Sequence, residues 1–426
     1  MKPADIEQII AEIDLHGMRS WLIQAFTASF REARKNKLST FNEHIYDEHW
    51  TENIIHLTDA VLERYYMPSS SISFIIYEPM IREIFAAPFV DRVVHHFLYR
   101  MQSGWWDRRF IADSYSCREN KGTLYGILRT HKMMQQATNN FTTEAYVIKL
   151  DIRGYFMSLP RTKLLERVNW GLERQFQPYF KSSSAYQLFQ TCGFLWRQIL
   201  LDDPVQKSRR RGPISDRDVL PPEKSLYTQP PGRGIVIGNL TSQLVSNIYL
   251  DQLDRFIKYD LGYKYYGRYV DDFYIVSADI EWLRSLQQPI AGFLSRKLGL
   301  SVNTGKTRIC DVRFGVDFLG AFLKPRRRYV SKASLGRMKE KIPCRENGLF
   351  PDQLRSRLNS FLGLLSHYRS YRLRRSLFAA LSYVYQFGYY QKGMRKYVLY
   401  PIPSSFYAKN LCCLGGLQIL ILLAAE

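Results

Sequence analysis

The feature that most constrains this fold is a pair of short strand-like runs separated by acids. Aromatic and β-branched residues fill Lys264 to Tyr269 and Phe273 to Ser277, and the pair Asp271-Asp272 lies between them. This pattern predicts a β-hairpin with carboxylates at its tip. A third apolar run, Ala145 to Ile152, predicts a buried strand that ends at Asp151. An apolar strand does not normally end in carboxylates without a cation, so the pattern indicates a charged site.

The rest of the chain combines helical patterns with one further hairpin. Helices are predicted where apolar residues recur at three and four positions, at Ile6 to Ile13, Asp91 to Gln102, Pro160 to Trp170, Val245 to Phe256 and Trp282 to Leu298. A loop rich in charge and proline runs from Asp202 to Arg233. Val316 to Leu323 and Arg327 to Ser331 predict the second hairpin. Beyond Ala333 only helical patterns recur.

The charge balance points to a polyanionic partner. The chain of 426 residues has 60 Lys and Arg against 39 Asp and Glu, a formal net charge of +21. On a folded protein, such an excess indicates nucleic acid first and an anionic membrane second. The alternative is a basic protein kept soluble by its charge. Since 46% of the residues are hydrophobic, the chain can bury a core, which excludes a disordered tail.

Cysteine usage and the terminal segments indicate a reducing compartment. Six cysteines occur without CxxC pairs, which predicts neither a disulfide framework nor structural zinc. Met1 to His16 lacks the apolar core of a signal peptide. Leu411 to Ala425 is short for a membrane span of roughly 20 residues. We expect a cytoplasmic protein with no membrane partner.

The three acids suit one kind of chemistry. Two Mg²⁺ ions held by carboxylates and bridging substrate phosphates can activate a 3′ hydroxyl and stabilise a leaving pyrophosphate. Asp151, Asp271 and Asp272 therefore predict nucleotidyl transfer. The alternative is structural, with Asp271-Asp272 as an ordinary turn pair and Asp151 as a helix N-cap.

The context of these acids resembles the palm of reverse transcriptases. Tyr269-Val270-Asp271-Asp272 follows Leu150-Asp151-Ile152-Arg153-Gly154-Tyr155-Phe156, and further blocks occur in the family's order over about residues 45 to 380. The resemblance implies an α+β, right-hand polymerase with fingers, a palm of antiparallel sheet and helices, and a helical thumb. It implies an RNA-directed DNA polymerase, a nucleotidyltransferase, with Asp151, Asp271 and Asp272 as catalytic residues. These three and Ile152 are the implied ligands of two Mg²⁺ ions, which Mn²⁺ can replace.

The resemblance also implies contacts with the incoming deoxynucleoside triphosphate (dNTP). The implied contacts are Arg82, Arg118, Lys121, Phe156, Ile237 and Lys306. Arg118 and Lys121 match the fingers segment that grips the triphosphate, where cationic donors meet phosphate oxygens. Phe156 matches the position that excludes a 2′ hydroxyl by its bulk, and the counterpart of Lys306 approaches the leaving phosphate. Arg82 departs from the usual pattern because Met80 stands where a basic residue is common.

The same comparison implies a domain organisation. The expected parts are an N-terminal helical extension (1–66), fingers (67–145), a palm (146–325) with an inserted segment near 160–233, a thumb (326–400) and a tail (401–426). Arginines on the expected primer-grip hairpin and thumb are the candidate nucleic-acid contacts, since a polymerase holds its duplex by the phosphates. They are Arg326, Arg327, Arg328, Arg369 and Arg372, and solvated basic faces are the alternative.

One block is similar to the reverse transcriptases of diversity-generating retroelements. Retroviral and group II intron enzymes usually carry Gln-Gly and then Ser-Pro where this chain has Ile237-Gly238-Asn239-Leu240-Thr241-Ser242-Gln243. Ser114-Tyr115-Ser116-Cys117-Arg118 and Leu358-Asn359-Ser360-Phe361-Leu362-Gly363 are similar to the same branch. A retron, group II intron-like or defence-associated enzyme and a catalytically silent RNA-binding scaffold are the alternatives.

This narrower resemblance implies a protein encoded by a prokaryote or a phage, a particular biology and a set of partners. Enzymes of this branch copy a template-repeat RNA into cDNA with errors opposite template adenines, and the cDNA replaces a variable repeat in a target gene. The implied partners are template RNA, the cDNA primer–template duplex, dNTPs and a small basic accessory protein that forms an oligomer. Ile237 in place of a Gln amide removes a polar contact, which lowers discrimination by about 1 kcal/mol if the residue faces the nascent base pair. We therefore predict that Ile237 affects the fidelity of nucleotide incorporation. The alternative is that Ile237 is an ordinary core residue.

Overall fold

A computed structural model of the chain describes residues 3–35, 48–77, 80–213, 215–341, 351–379 and 381–401. The chain divides into two units, Met1–Asp311 and Val312–Glu426. The division falls inside the predicted palm, and the predicted domain boundaries stay predictions. Glu78-Pro79, beside the expected fingers, and residues 402–426, which include the apolar stretch of the tail, lie outside the described residues.

The first unit contains most of the helices of the described chain, and several of the longer ones are amphipathic. The helices of this unit are α1 (Pro3–His16), α2 (Met18–Arg34), α3 (Trp50–Leu62), α4 (Phe89–Asp107), α5 (Thr123–Ala137), α6 (Tyr155–Ser158), α7 (Arg161–Phe176), α8 (Ser183–Leu201), α9 (Pro204–Lys207), α10 (Ser215–Asp218), α11 (Leu240–Arg255), α12 (Ile280–Ser285) and α13 (Gln287–Phe293). Val94, Leu98 and Met101 are buried on one face of α4, as predicted. Within the described ranges, no helix is long and apolar enough to cross a membrane.

The strands of the first unit form two sheets. The strands are β1 (Ile72–Ile76), β2 (Arg82–Ala86), β3 (Tyr146–Leu150), β4 (Arg209–Arg210), β5 (Tyr266–Tyr269), β6 (Asp272–Ser277) and β7 (Arg308–Asp311). The larger sheet has the order β5-β6-β3-β7 with antiparallel neighbours. The acid-tipped hairpin is confirmed, because Tyr269 pairs with Asp272 across the β5–β6 turn. The buried strand predicted before Asp151 is β3.

The smaller sheet joins the long predicted loop to the N-terminal part of the unit. Its order is β2-β1-β4, and β4 lies within the loop from Asp202 to Arg233. The same loop contains 3-10 turns at Pro222–Lys224 and Leu226–Thr228. The buried carboxylate of Glu83 on β2 accepts bonds from Leu226 N at 2.7 Å and Ser225 Oγ at 3.2 Å. The loop is therefore ordered, and its residues Ser225 and Leu226 are bonded to β2.

Helix α11 lies at the centre of the first unit. Its buried residues occur all around the helix and include Val245, Tyr249 and Leu253 from the predicted stripe. A helix buried on every side belongs to a protein interior. Its neighbours in the core include α4 and α7, whose Val93 and Leu164 are fully buried. This core supports the larger sheet, since Phe273 and Ile275 of β6 belong to it.

The second unit combines a small sheet with helices. Its elements are β8 (Val316–Phe318), β9 (Ala321–Lys324), β10 (Arg327–Val330), α14 (Lys332–Lys341), α15 (Pro351–Ser366), α16 (Tyr371–Phe378), α17 (Val384–Phe387), β11 (Gly388–Gln391) and β12 (Lys396–Leu399). Leu354, Leu358, Leu362 and Leu365 of α15 are buried in its core, and Phe361 packs against that core. Together the two units confirm the mixed α+β architecture of helices and antiparallel sheets.

Three local predictions need correction. The run Val316 to Leu323 is two strands, because Leu319 and Gly320 adopt positive φ (50° and 78°) and turn the chain. The region beyond Ala333 also contains the hairpin β11–β12, whose turn residues Lys392, Gly393 and Met394 have positive φ that no α-helix accommodates.

The third correction concerns the helix predicted from Trp282 to Leu298. It is interrupted at Leu286 into α12 and α13 and ends in a π-helical turn at Leu294–Leu298. Pro289 lies in the first turn of α13 and cannot donate the backbone bond that a continuous helix needs there. The predicted end is confirmed, because Gly299 has φ 64° and caps the last turn.

Candidate active site

Three carboxylates lie at the same end of the larger sheet. Strand β3 pairs with β6 so that Leu150 faces Phe273, and the next residues outward are Asp151 on one strand and Asp272 on the other. Asp271 occupies the two-residue turn that joins β5 to β6. The register of the strands therefore brings together residues that are far apart in the sequence.

Asp151 is held by the segment that follows α13. The amide of Asn303 donates from Nδ2 to Asp151 Oδ2 at 3.1 Å, and Lys306 Nζ forms an ion pair with the same oxygen at 3.0 Å. The backbone N–H of Asn303 donates to the carbonyl of Asp151 at 2.7 Å. Ile152, predicted as a backbone ligand, has a buried side chain and forms an isolated antiparallel bridge with Val302. Lys306 thus contacts Asp151, and its role toward the dNTP stays a prediction.

The charges of the three acids act on one another. Burial, followed by the charges of Asp151 and Asp272, raises the pKa of Asp271 from 3.8 to about 6, while Lys306 opposes the rise. Burial and the charge of Asp151 raise the pKa of Asp272, against the opposing charges of Lys149 and Lys306. A cation beside Asp271 and Asp272 would favour the charged forms of these two carboxylates.

The donors fit a hard divalent cation that is completed by a substrate. Within the described residues, no three His, Cys, Asp or Glu side chains are close enough together to hold a metal ion by themselves. Mg²⁺ is commonly bound by one or two carboxylates and by substrate phosphates, so a preformed cage of three side chains is not required. In this structure Asp151 Oδ2 accepts bonds from the amide nitrogen of Asn303 and from the ammonium of Lys306.

Two predicted dNTP contacts, Phe156 and Ile237, lie on segments that pack together. Phe156 is half-buried on α6, and its carbonyl accepts a bond from Ile235 N at 2.9 Å. The carbonyl of Ile237 accepts a bond from Phe85 N of β2 at 3.3 Å. The side chain of Ile237 packs against the cluster of Phe85, Met157 and Leu226. The core role of Ile237 thus has a structural basis, and its fidelity role stays a prediction.

The cationic dNTP candidates differ in exposure. Arg82 is exposed at the start of β2 and is available to a phosphate. The Arg118 side chain is 6% exposed and donates to Asp107 Oδ1 (2.5 Å), Asp107 O (2.8 Å), Ile111 O (2.6 Å) and Ser114 O (3.1 Å). A triphosphate contact would have to displace some of these bonds, because they engage four of its five N–H groups.

Lys121 is also engaged by its own segment. Its Nζ donates to the carbonyl of Ala112 at 2.6 Å and lies 5.6 Å from the centre of the Tyr125 ring. Burial, followed by the charge of Arg118, lowers the pKa of Lys121 to about 8. An anion beside Lys121 would favour its charged form.

The nucleic-acid candidates of the second unit are at its surface. Arg326, Arg327 and Arg328 are exposed at the β9–β10 turn, where Arg326 has φ 61°. Arg369 and Arg372 are exposed at the start of α16. Arg374 of the same basic run is buried and donates to Met394 O at 3.1 Å, so it supports the fold. Their contacts with nucleic acid stay predictions.

Sequence reasoning did not select the residues that support the acids. Asn303, three residues before Lys306, donates to Asp151 but was not among the predicted site residues. Arg268, Asn247 and Asp254 form a buried polar network behind the β5–β6 turn. Charged residues in the middle of apolar patterns were the available signal, but their partners depend on contacts between distant segments.

The chain is similar to one protein family and to several solved structures. A family profile described as "Reverse transcriptase (RNA-dependent DNA polymerase)" matches residues 89–323. Among solved structures, apo telomerase from Candida tropicalis is similar with 12% identity and a TM-score of 0.43, over 75% of this chain and 61% of that chain. Telomerase from Candida albicans in complex with the TWJ fragment of telomeric RNA is similar with 12% identity and a TM-score of 0.43, over 80% and 60%. The chain thus spans about three fifths of these structures. No curated protein matches it significantly.

Proposed function

The chain belongs to the reverse transcriptase family, and on that premise we propose that it is an RNA-directed DNA polymerase that works by two-metal nucleotidyl transfer. The observation that carries the proposal is the convergence of Asp151, Asp271 and Asp272 at one end of the sheet, with Lys306 paired to Asp151. A silent scaffold would gain nothing from half-buried acids in an arrangement that raises the pKa of Asp271 and Asp272.

The reaction is an in-line displacement at the α-phosphorus of the dNTP. The primer 3′ oxygen forms a bond to phosphorus, the bond to pyrophosphate breaks, and the 3′ hydroxyl proton passes to solvent or a basic group. Bound divalent ions would lower the pKa of the 3′ hydroxyl and neutralise the leaving pyrophosphate. Asp151, Asp271, Asp272 and the carbonyl of Ile152 would hold Mg²⁺, or Mn²⁺ in its place.

The remaining residues would bind and select the nucleotide. Lys306 is 63% exposed on its side chain, so it can exchange Asp151 for a phosphate oxygen without leaving a buried cation. Arg82 offers a second cation to the triphosphate. Phe156 would exclude a 2′ hydroxyl by the bulk of its ring, and the backbone bond from Ile235 N to its carbonyl holds the residue in place.

Primer extension tests the proposal. We expect wild type to extend a DNA primer on an RNA template with Mg²⁺, and Asp271→Asn to lose at least about a thousandfold in rate because the ion loses a ligand. The fold should be retained, since a neutral amide resembles the protonated carboxyl that burial favours. Asp260→Asn, an exposed acid of the same unit, is the matched control. Wild type that binds RNA but does not extend primers would support the scaffold alternative.

More narrowly, we propose a polymerase of a diversity-generating retroelement that makes error-prone cDNA for mutagenic retrohoming. Support comes from the block Ile237 to Gln243 and from the blocks at Ser114 and Leu358. The partners would be a template-repeat RNA, the primer–template duplex and a small basic accessory protein oligomer. Two near-identical genomic repeats that differ at adenines, beside a gene for a small basic protein, would support this narrower function. Their absence would favour a retron, group II intron-like or defence-associated enzyme.

Fidelity provides the biochemical test of that subfamily. Ile237→Gln restores an amide at the position where other branches carry one, and we expect misincorporation opposite template adenine to fall by about fivefold, the equivalent of about 1 kcal/mol. Sequencing of cDNA made by both proteins measures the change. Ile237→Leu keeps the apolar contact with Phe85 and Met157 and is the control. An unchanged error spectrum in Ile237→Gln would leave Ile237 with its core role alone.

A further inference from the structure

The turn that carries Asp271 is conformationally strained. Val270, the first of its two residues, has φ 56°, a left-handed conformation that a β-branched side chain rarely adopts. In hairpins with positive φ at this position, glycine is usual. Other contacts must therefore stabilise this backbone, because the local preference of valine opposes it.

The guanidinium of Arg268 makes those contacts. Its side chain is 0% exposed on β5, and Nη1 donates to the carbonyl of Val270 at 2.9 Å. The other bonds run from Nη1 to Asn247 Oδ1 (3.2 Å), from Nη2 to Ser114 Oγ (3.3 Å) and Asp254 Oδ2 (2.6 Å), and from Nε to Asp254 Oδ1 (2.7 Å). All five N–H groups are engaged, so the orientation of the guanidinium is fully determined.

The partners of Arg268 are anchored in the core. Asp254 and Asn247 lie on the buried helix α11, and neither is more than 1% exposed. Asp254 also accepts a bond from Tyr266 OH at 2.5 Å, and Asn247 donates to Ser116 O at 2.9 Å. The bidentate pair with Asp254 is the geometry that arginine, but not lysine, provides.

We propose that Arg268 is the positioning residue for Asp271 and, through it, for the divalent cation. The Val270 carbonyl and the Asp271 N–H belong to one planar peptide, so a bond to that carbonyl sets the direction in which Asp271 leaves the turn. The hydrogen bonds of Arg268 therefore fix the position of Asp271 relative to the buried helix α11. This inference rests on the proposed function, because it assumes that Asp271 binds the cation.

Mn²⁺ binding, followed by electron paramagnetic resonance of the free ion, tests the proposal without catalysis. Asp271→Asn lacks one of the proposed ligands, so the difference between wild type and this variant measures Mn²⁺ binding at the site. Arg268→Lys keeps the positive charge but loses the planar guanidinium that donates to both oxygens of Asp254. We expect it to weaken Mn²⁺ binding by about 10- to 100-fold, as removal of a residue that orients a ligand commonly does. In primer extension kcat should fall to a similar extent, while KM for dNTP stays within about twofold.

A second arginine–aspartate pair, between Arg167 of α7 and Asp251 of α11, provides the control. Arg167 Nη2 pairs with Asp251 Oδ2 at 3.0 Å, and the two side chains are 15% and 0% exposed. No bond joins this pair to Val270. Asp251 also pairs with Arg255 Nε at 2.8 Å. We expect Arg167→Lys to lower thermal stability and to leave Mn²⁺ binding within about twofold of wild type. Equal losses of Mn²⁺ binding in both variants would overturn the proposal, since a general loss of core order would explain them.

A double substitution separates positioning from folding. Arg268→Met with Asp254→Leu replaces the buried pair by apolar side chains of similar length, a change that buried pairs often tolerate. The proposal requires the folded double variant to bind Mn²⁺ at least about tenfold more weakly than wild type. Binding within about twofold, in this variant or in Arg268→Lys, overturns it. If wild type binds Mn²⁺ but does not extend primers, the proposed function fails and the Mn²⁺ comparison still decides the role of Arg268.

Discussion

At the scale of single residues, the carboxyl of Asp271 combines a catalytic candidate with an unfavourable environment. Burial and the neighbouring acids raise its pKa from 3.8 to about 6. Val270 beside it adopts a left-handed φ of 56°, a strain of about 1–3 kcal/mol for such a residue. Both features are expected where function opposes local stability, because a cation that is later bound compensates the clustered charge.

The raised pKa predicts a pH dependence of metal binding. Between about pH 4 and 6 the unfolded chain loses a proton that folded, metal-free Asp271 retains, so this group's contribution to stability falls as the pH rises through that window. A cation binds the ionised form. Mn²⁺ affinity should therefore rise by about tenfold per pH unit below pH 6 and level off above it. Titrations of Mn²⁺ from about pH 5 to 8 measure this, and the part of the profile that is due to Asp271 should be absent in Asp271→Asn. A flat profile for wild type would contradict the raised pKa.

At the scale of elements, the packing of helices determines which glycines can be replaced. Gly171 lies on α7, and a Cβ built there would be 2.1 Å from Cζ2 of Trp106 on α4. Gly193 on α8 has space for a Cβ, since its nearest neighbour is Leu172 Cδ2 at 3.8 Å. Both are helical glycines in the same unit, so they form a matched pair. Only the contact between α4 and α7 distinguishes them.

This pair predicts opposite changes in stability. We expect Gly171→Ala to lower the free energy of unfolding by about 1–3 kcal/mol, because the buried Trp106 cannot move freely. Gly193→Ala should raise it by about 0.5–1 kcal/mol, since alanine favours a helix interior. Urea unfolding followed by tryptophan fluorescence is selective, as all 7 tryptophans belong to the first unit. Equal stability of the two variants would show that α4 and α7 are not packed as described.

At the scale of the whole molecule, the basic residues that give the net charge of +21 have different roles. Some arginines are internal: Arg118, Arg268 and Arg374 donate to carbonyls or carboxylates of their own unit. Others, such as Arg369 and Arg372, face solvent in the second unit. Only exposed cations can release counterions from a nucleic acid, so the formal charge overstates the number of phosphate contacts.

The exposed arginines Arg369 and Arg372 are predicted to contribute to the salt dependence of template–primer binding. Replacing Arg369 and Arg372 by alanine should weaken template–primer binding and make the slope of log affinity against log salt shallower by about two, since each phosphate contact contributes about 0.9. Filter binding at several salt concentrations measures the slope. Arg355→Ala, whose charge is already paired with Asp352 at 2.9 Å, should leave it unchanged. If the double variant keeps its affinity and slope, these arginines form a solvated face.

The sequence alone predicted the elements that carry the acids, because their signals are local. Alternating apolar residues and a short acidic turn determine the β5–β6 hairpin, and an apolar run determines β3. Local patterns were insufficient where one residue changes the backbone, as Pro289 does between α12 and α13 and as Leu319 does between β8 and β9. The family resemblance also follows from the sequence, since it depends on the order of motifs.

Only the tertiary structure decided which charged side chains face the acids and which support the fold. The pairing of Lys306 with Asp151, the internal bonds of Arg118 and the network of Arg268 join segments that are distant in the chain. An arginine in a sequence pattern has the same charge whether it is buried or exposed. Its partners are determined by strand register and helix packing, and these arise only when the whole core is assembled.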